Sequence, residues 1–175
     1  MVEYKTVASG MTAADVMIKT AEIEVIEAMP VCPGKYLVTV CGDLSSVKAA
    51  VDAAKAYNSA SLIDSFVLGN PHESIFGAIR GANEINNPRA LGILETFSAA
   101  SAIVAADTAA KTALVDLIEL RLAKGMCGKS YLLLTGDVAS VSAAIERAKS
   151  GVEDGMFLDS SVIAGPDKKL WDSVL

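Results

Sequence analysis

The sequence predicts an α/β (α+β) chain in which one small strand-and-helix domain is used twice. Three observations predict it: an internal duplication, one order of strand and helix patterns met in both halves, and an apolar content carried by small residues. GKYLVTVCGDLSSVKAAVDAAK from Gly34 aligns without a gap with GKSYLLLTGDVASVSAAIERAK from Gly128, an offset of 94, and the two match at 10 of 22 positions. A period this long exceeds that of a solenoid repeat and suits a whole small domain copied in tandem. The 175 residues then divide into a first domain over 1–88 and a second over 89–175. Each copy sits near the small end of self-sufficient domains and needs its sibling or other subunits.

In the first copy VEYKTV forms a short opening strand. Thr12 is placed to cap a helix through AADVMIKTA, and EIEVIEAM alternates acidic and apolar residues with the period of a half-buried strand. The break PVCPG leads to the strand KYLVTVC and then to a Gly42-Asp43 turn, in which Asp43 or Ser45 can cap the helix LSSVKAAVDAAKAY. A strand near LIDSFVL closes the copy. The second copy repeats the order: ALGILETF, helix AASAIVAADTAAKTA, DLIELRLA, KSYLLLT, helix VASVSAAIERAKSGV and FLDSSVIA. The layout is a split βαβ, ferredoxin-like one. Between the copies Pro71 opens a short helix, HESIFGAIRGA, and NEINNPR suits a linker, which places the boundary near Pro88. One helix layer on a sheet leaves edges or a face to be covered, and oligomerisation is the expected consequence.

Composition narrows the class. Hydrophobic residues make up 52% of the chain and aromatics only 5%, so the apolar content is aliphatic and small. The most apolar stretch is interrupted by Glu95, Asp107, Lys111 and Asp116, too early for a membrane span. No basic region followed by an apolar core opens the chain, so a cytoplasmic protein is expected. The net charge is −6 and the 15 Lys and Arg are scattered, which argues against a nucleic-acid footprint. Three cysteines, Cys32, Cys41 and Cys127, do not form a disulfide framework in a reducing compartment.

ALGILET, AADTAAKTA, GKSYLLLTGDVASVSAAIERAK and SSVIAGP in the second copy, with AADVMIKTA and GKYLVTVCGDLSSVKAAVDAA in the first, resemble the bacterial microcompartment shell family in its tandem-domain form, over nearly the whole chain. The resemblance implies two ferredoxin-like microcompartment domains and a homotrimer forming a pseudohexameric tile. Such a tile packs edge to edge with other shell proteins around enzymes and has a pore on its three-fold axis. The pore loops would be Cys32, Pro33, Gly34 and Lys35 in the first copy and Met126, Cys127, Gly128 and Lys129 in the second. Lys19 and Lys111 match the lysine at which tiles meet, but the arginine that usually precedes the last-strand proline is Asn70 before Pro71 and Gly165 before Pro166.

Only the first copy has Cys-Pro-Gly in this loop, a departure similar to the propanediol-utilisation branch of the family, in which three symmetry-related cysteines hold a [4Fe-4S] cluster. By itself Cys32 is a free thiol in a turn, with no second ligand at CxxC spacing. A three-fold axis would turn one Cys32 per chain into three converging thiolates, one cluster per trimer, with the fourth iron open for electron transfer across the shell to a redox enzyme of the lumen. Pro33 and Gly34 favour a rigid loop close to the axis, and Lys35, with Lys129, is placed to offset the cluster's charge. Cys127 aligns with Pro33 rather than with Cys32, and Cys41 reads as a small buried hydrophobe.

No catalytic residue is identified, and no enzyme is expected. The single histidine, His72, reads as a surface residue of the linker helix; Glu22, Glu24 and Glu27 read as a solvated strand face, and GxxxxGK[ST] spacing is absent. Two other readings stay open: a metal-free tile whose pore conducts small metabolites, and a small-ligand regulatory protein on ferredoxin-like domains.

Overall fold

The computed structural model describes residues 1–175 as two compact units, Met1–Gly69 and Asn70–Leu175. The division therefore falls between Gly69 and Asn70 rather than near Pro88, because the linker helix packs into the second unit.

The first unit runs β1 (Val2–Tyr4), α1 (Val7–Thr20), β2 (Glu24–Val31), β3 (Lys35–Cys41), α2 (Leu44–Tyr57) and β4 (Leu62–Ser65). Its antiparallel sheet has the order β2-β3-β1-β4, the ferredoxin-like arrangement. Val2, Tyr4 and Val38 point from the sheet into a core closed by Ala13 and Met17 of α1 and Ala50, Val51 and Ala54 of α2. Alanines let both helices lie close on the strands, and the buried Tyr4 hydroxyl donates to the Ala54 carbonyl. Helix α1 begins six residues earlier than the Thr12 cap predicted: Thr6 is the N-cap and its side chain accepts from Ser9 N at 3.3 Å. Thr12 lies inside the helix, where its hydroxyl donates to Ala8 O at 3.0 Å. Asp43 does hold the N-cap position of α2, without a side-chain cap bond.

The second unit begins with α3 (Ser74–Arg80) and continues β5 (Ala90–Thr96), α4 (Ala99–Thr112), β6 (Val115–Arg121), β7 (Ser130–Gly136), α5 (Val138–Ser150), β8 (Phe157–Ile163) and α6 (Lys168–Val174). Its sheet repeats the first, in the order β6-β7-β5-β8, all antiparallel. Ser98 caps α4 through Ser101 N at 3.1 Å, the counterpart of the Thr6 cap. Helix α3 lies on β6 and α4 with Ile75, Ala78 and Ile79 buried, and the Asn83 amide donates to Ser74 O at 2.9 Å and to Leu117 O at 2.8 Å. Helix α6 has no place in the sequence-based element order. Asp167 caps it through Lys169 N at 2.8 Å, and none of its residues is buried. No helix is long and apolar enough to cross a membrane.

Candidate functional site

The two loops singled out by the duplication are hairpin turns of different build. In the first unit three residues, Cys32, Pro33 and Gly34, join β2 to β3, and Gly34 N donates to Val31 O at 2.9 Å. The Cys32–Pro33 peptide is cis, and Cys32 is the second residue of this turn. Gly34 adopts φ +95°, a conformation glycine reaches without cost, and a Cβ there would meet nothing within 4 Å. Pro33 and Gly34 are exposed and Cys32 is half-buried. Cys32 thus sits, half-buried, in the turn that closes this hairpin.

In the second unit the loop is longer, from Leu122 to Lys129, with Ala123 N donating to Ser130 Oγ at 3.0 Å across its base. Its tight turn closes from Lys129 N to Met126 O at 3.0 Å. Cys127, at φ +53°, and Gly128, at φ +89°, are the two central residues, the combination that primed hairpin turns require. Cys127 is exposed and, like Cys32, is the second residue of its turn. Aligned by sequence it faces Pro33; aligned by turn geometry it faces Cys32. The longer loop displaces the turn by one residue, which a gap-free alignment does not register.

Lys35 does not serve as a free charge beside the turn. Its Nζ lies 3.0 Å from Glu3 Oε1, and Glu3 is only 5% exposed, so this lysine balances a buried carboxylate. Lys129 is half-buried. Cys41 lies at the far end of β3 beside Glu24, with Sγ 4.0 Å from Oε2. No group of three or more His, Cys, Asp or Glu of one chain could hold a metal ion. One chain supplies one thiol per hairpin tip, so a cluster fits only where copies meet.

Next to the second loop is a polar group that sequence reasoning missed. Glu119 accepts from Arg121 at 2.7 and 2.9 Å and from the Tyr131 hydroxyl at 2.6 Å, and the Arg121 guanidinium lies 5.3 Å from the Tyr131 ring centroid. Burial, followed by the bond to Glu119, pushes the Tyr131 hydroxyl up to about 12. In the strand register, Arg121 and Tyr131 replace Met29 and Leu37 of the first unit. That exchange was a signal present in the duplication.

The two helix lysines differ. Lys19 pairs with Asp15 at 2.6 Å, with both side chains largely exposed. Lys111 pairs with Asp107 at 2.7 Å and also donates to Asn70 O at 2.7 Å, while the other Asp107 oxygen accepts from His72 N at 2.8 Å. His72 is half-buried, with Nδ1 2.8 Å from Ser74 Oγ. Asp107 and Lys111 thus clasp the segment entering α3.

A tandem pair of four-stranded antiparallel sheets, each carrying a hairpin loop and an Ala-rich helix with Asp and Lys four residues apart, defines a class. The chain belongs to the BMC domain family, whose model matches residues 1–71 and 90–166, and it is a tandem-domain bacterial microcompartment shell protein. It is 37% identical over 172 residues to the bacterial microcompartment shell protein PduT of Citrobacter freundii, covering 98% of this chain and 94% of that one. Among solved structures, a microcompartments protein from Desulfitobacterium hafniense DCB superposes with a TM-score of 0.93 at 47% identity, over 98% of this chain and 96% of that one. The fused permuted hexameric shell protein MSM0275 of the RMM microcompartment gives a TM-score of 0.60 at 25% identity, over 81% and 74%.

Proposed function

We propose that three copies of this chain form a pseudohexameric shell tile, and that the Cys32 thiolates of the three copies hold one [4Fe-4S] cluster at its central pore. The observation that carries the reading is Cys32 at the tip of a three-residue hairpin, with Gly34 beside it leaving open space. The half-buried thiol has open space beside it on the Gly34 side, from which its own copies approach about an axis. Three thiolates match the donor set of a cubane with one open iron, and when bound such a cluster supplies one-electron transfer. The role is structural and electron-conducting, within a cytoplasmic shell, with neighbouring tiles and a redox enzyme of the lumen as partners.

The chain's own residues do the positioning. The Val31–Gly34 turn holds the Cys32 backbone at the tip, and the ion pair of half-buried Lys35 with buried Glu3 ties the start of β3 to β1. Purified without oxygen, the protein should be brown, with broad visible absorption and iron and sulfide near one cluster per three chains. Cys32→Ser should abolish the colour and Cys127→Ser should keep it. Colour surviving Cys32→Ser overturns the assignment, and iron well below one cluster per trimer after reconstitution favours a metal-free pore for metabolites.

A further inference from the structure

Helix α6 lines a groove of about 680 Å³ within the second unit, a size inside the range of about 300–1,000 Å³ that small-ligand sites occupy. Lys168, Trp171, Asp172 and Leu175 form one wall, and a spacing of i, i+3, i+4 and i+7 puts them on a single face of the helix. Pro88 and Arg89, which lead into β5, and Pro166, which precedes α6, complete the lining. An indole, two proline rings and a leucine are thus gathered with two cations and one carboxylate.

The polar groups differ in how they are held. Arg89 is fixed at both ends: its backbone N–H donates to the hydroxyl of the buried Thr135 at 3.0 Å, and its Nη1 donates to the Asp137 carboxylate. Asp137 holds the N-cap position of α5 without a side-chain cap bond, because it is turned to Arg89 instead. The Arg89 side chain is still 50% exposed, so its remaining N–H groups are oriented and open to solvent. Lys168 Nζ, Trp171 Nε1 and the Asp172 carboxylate take no partner from the chain. Lys168 and Asp172 are exposed, and Trp171 is half-buried.

The duplication assigns this chemistry to the second copy alone. LIDSFVLGNPHESIFGAIR from Leu62 aligns with FLDSSVIAGPDKKLWDSVL from Phe157 at an offset of 95, so Pro166 and Trp171 correspond to Pro71 and Phe76. Lys168, Asp172 and Leu175 stand where the first copy has Glu73, Gly77 and Arg80. The proline and the aromatic ring recur, and the charges do not.

We propose that this groove binds a nucleoside monophosphate. The base stacks on the Trp171 indole among the proline rings. The phosphate dianion is held by Lys168 and by the open N–H groups of Arg89, whose orientation Asp137 fixes. The sugar hydroxyls donate to Asp172, the part an acidic side chain takes towards ribose in dinucleotide sites. A bare phosphate engages only the cations and a nucleoside only the ring and the carboxylate, so the nucleotide binds more tightly than either. The groove lies within one unit of one chain, and the proposal rests neither on the tile nor on the cluster.

Trp171 is the single tryptophan of the chain, so its fluorescence reports this groove directly. Titration of the full chain, in the assembly it forms, with adenosine monophosphate should quench that fluorescence saturably, with adenosine and inorganic phosphate each binding about tenfold or more weakly. Lys168→Gln should weaken adenosine monophosphate by about tenfold or more, the loss of one charge-assisted bond, and leave adenosine unchanged. Asp172→Asn should weaken adenosine, for which the carboxylate is the one charged contact. Lys48→Gln, the same change of charge on the exposed side of α2, should alter neither. All three side chains are exposed, so unchanged circular dichroism reports intact folding. Fluorescence that does not respond to millimolar adenosine monophosphate overturns the site, as does quenching that Lys168→Gln leaves unchanged. A response to inorganic phosphate as strong as that to the nucleotide also overturns it, because the indole then contributes nothing.

Discussion

Gly10→Ala should destabilise the first unit although it replaces glycine by the best helix former. Gly10 lies in α1 where the helix crosses β3. A Cβ there would stand 2.4 Å from Tyr36 Cβ, 2.5 Å from Cδ1 and 2.6 Å from Cγ, where ordinary contact is 3.4–4 Å, so helix and strand must separate by about 1 Å. Tyr36 is 4% exposed, and the nearest atom is its Cβ, held by the backbone of a strand paired on both sides. Turning the ring gives no relief. Overpacking of this kind costs about 1–3 kcal/mol, against about 1 kcal/mol gained in helix propensity. The net is a loss of up to about 2 kcal/mol, and the backbone-held contact at Tyr36 Cβ puts it towards the upper end, read as a thermal midpoint lower by about 4–8 °C per kcal/mol in a domain of this size. Gly92→Ala supplies the comparison: its Cβ would meet Leu134 Cδ1 at 2.6 Å and Val141 Cγ1 at 2.8 Å, ends of aliphatic side chains that can turn, and it should cost less. Melting followed by circular dichroism at one protein concentration decides it. A Gly10→Ala chain as stable as the parent, or more so, would refute the packing argument in favour of propensity.

Asp107→Ala should cost about 2–3 kcal/mol and speed hydrogen exchange through residues 70–80, since it strands Lys111 and frees His72 N, whereas Asp15→Ala on the exposed counterpart should change monomer stability by no more than about 0.5 kcal/mol. Spectroscopic titration should show Tyr131 ionising near 12, a component lost in Tyr131→Phe, and Glu119→Gln should bring it down. A tyrosine raised from 10.0 keeps its proton in the folded chain after the unfolded chain has lost it, so its contribution to stability is full below pH 10 and is lost as pH rises towards 12. A Tyr131→Phe chain with an unchanged titration curve would contradict this.

The βαββαβ order was legible because each strand and helix carries its own period, and the duplication supplied each pattern twice. Cys32 and the loop around it were legible for the same reason: the copies differ there in residue type. Cys127 was assigned to the wrong turn position because turn register depends on loop length and on residues at positive φ, which a gap-free match does not see. The cap of α1 fell on Thr6, since where a helix starts is decided by which side chain meets a free N–H. Lys35 was expected beside the turn, yet the buried Glu3 on a neighbouring strand takes it.

By itself, then, the sequence determined the repeated domain, its small-residue core and the single chemical difference between two matching turns. These rest on local pattern and on composition, which need no knowledge of what lies across the fold. Only the tertiary structure decided which helix lysine is held to another segment and which stands in solvent. Those are questions of burial, and burial belongs to pairs of distant segments: Glu3 and Lys35, or Asp107 and the segment entering α3, meet only because the fold brings them together.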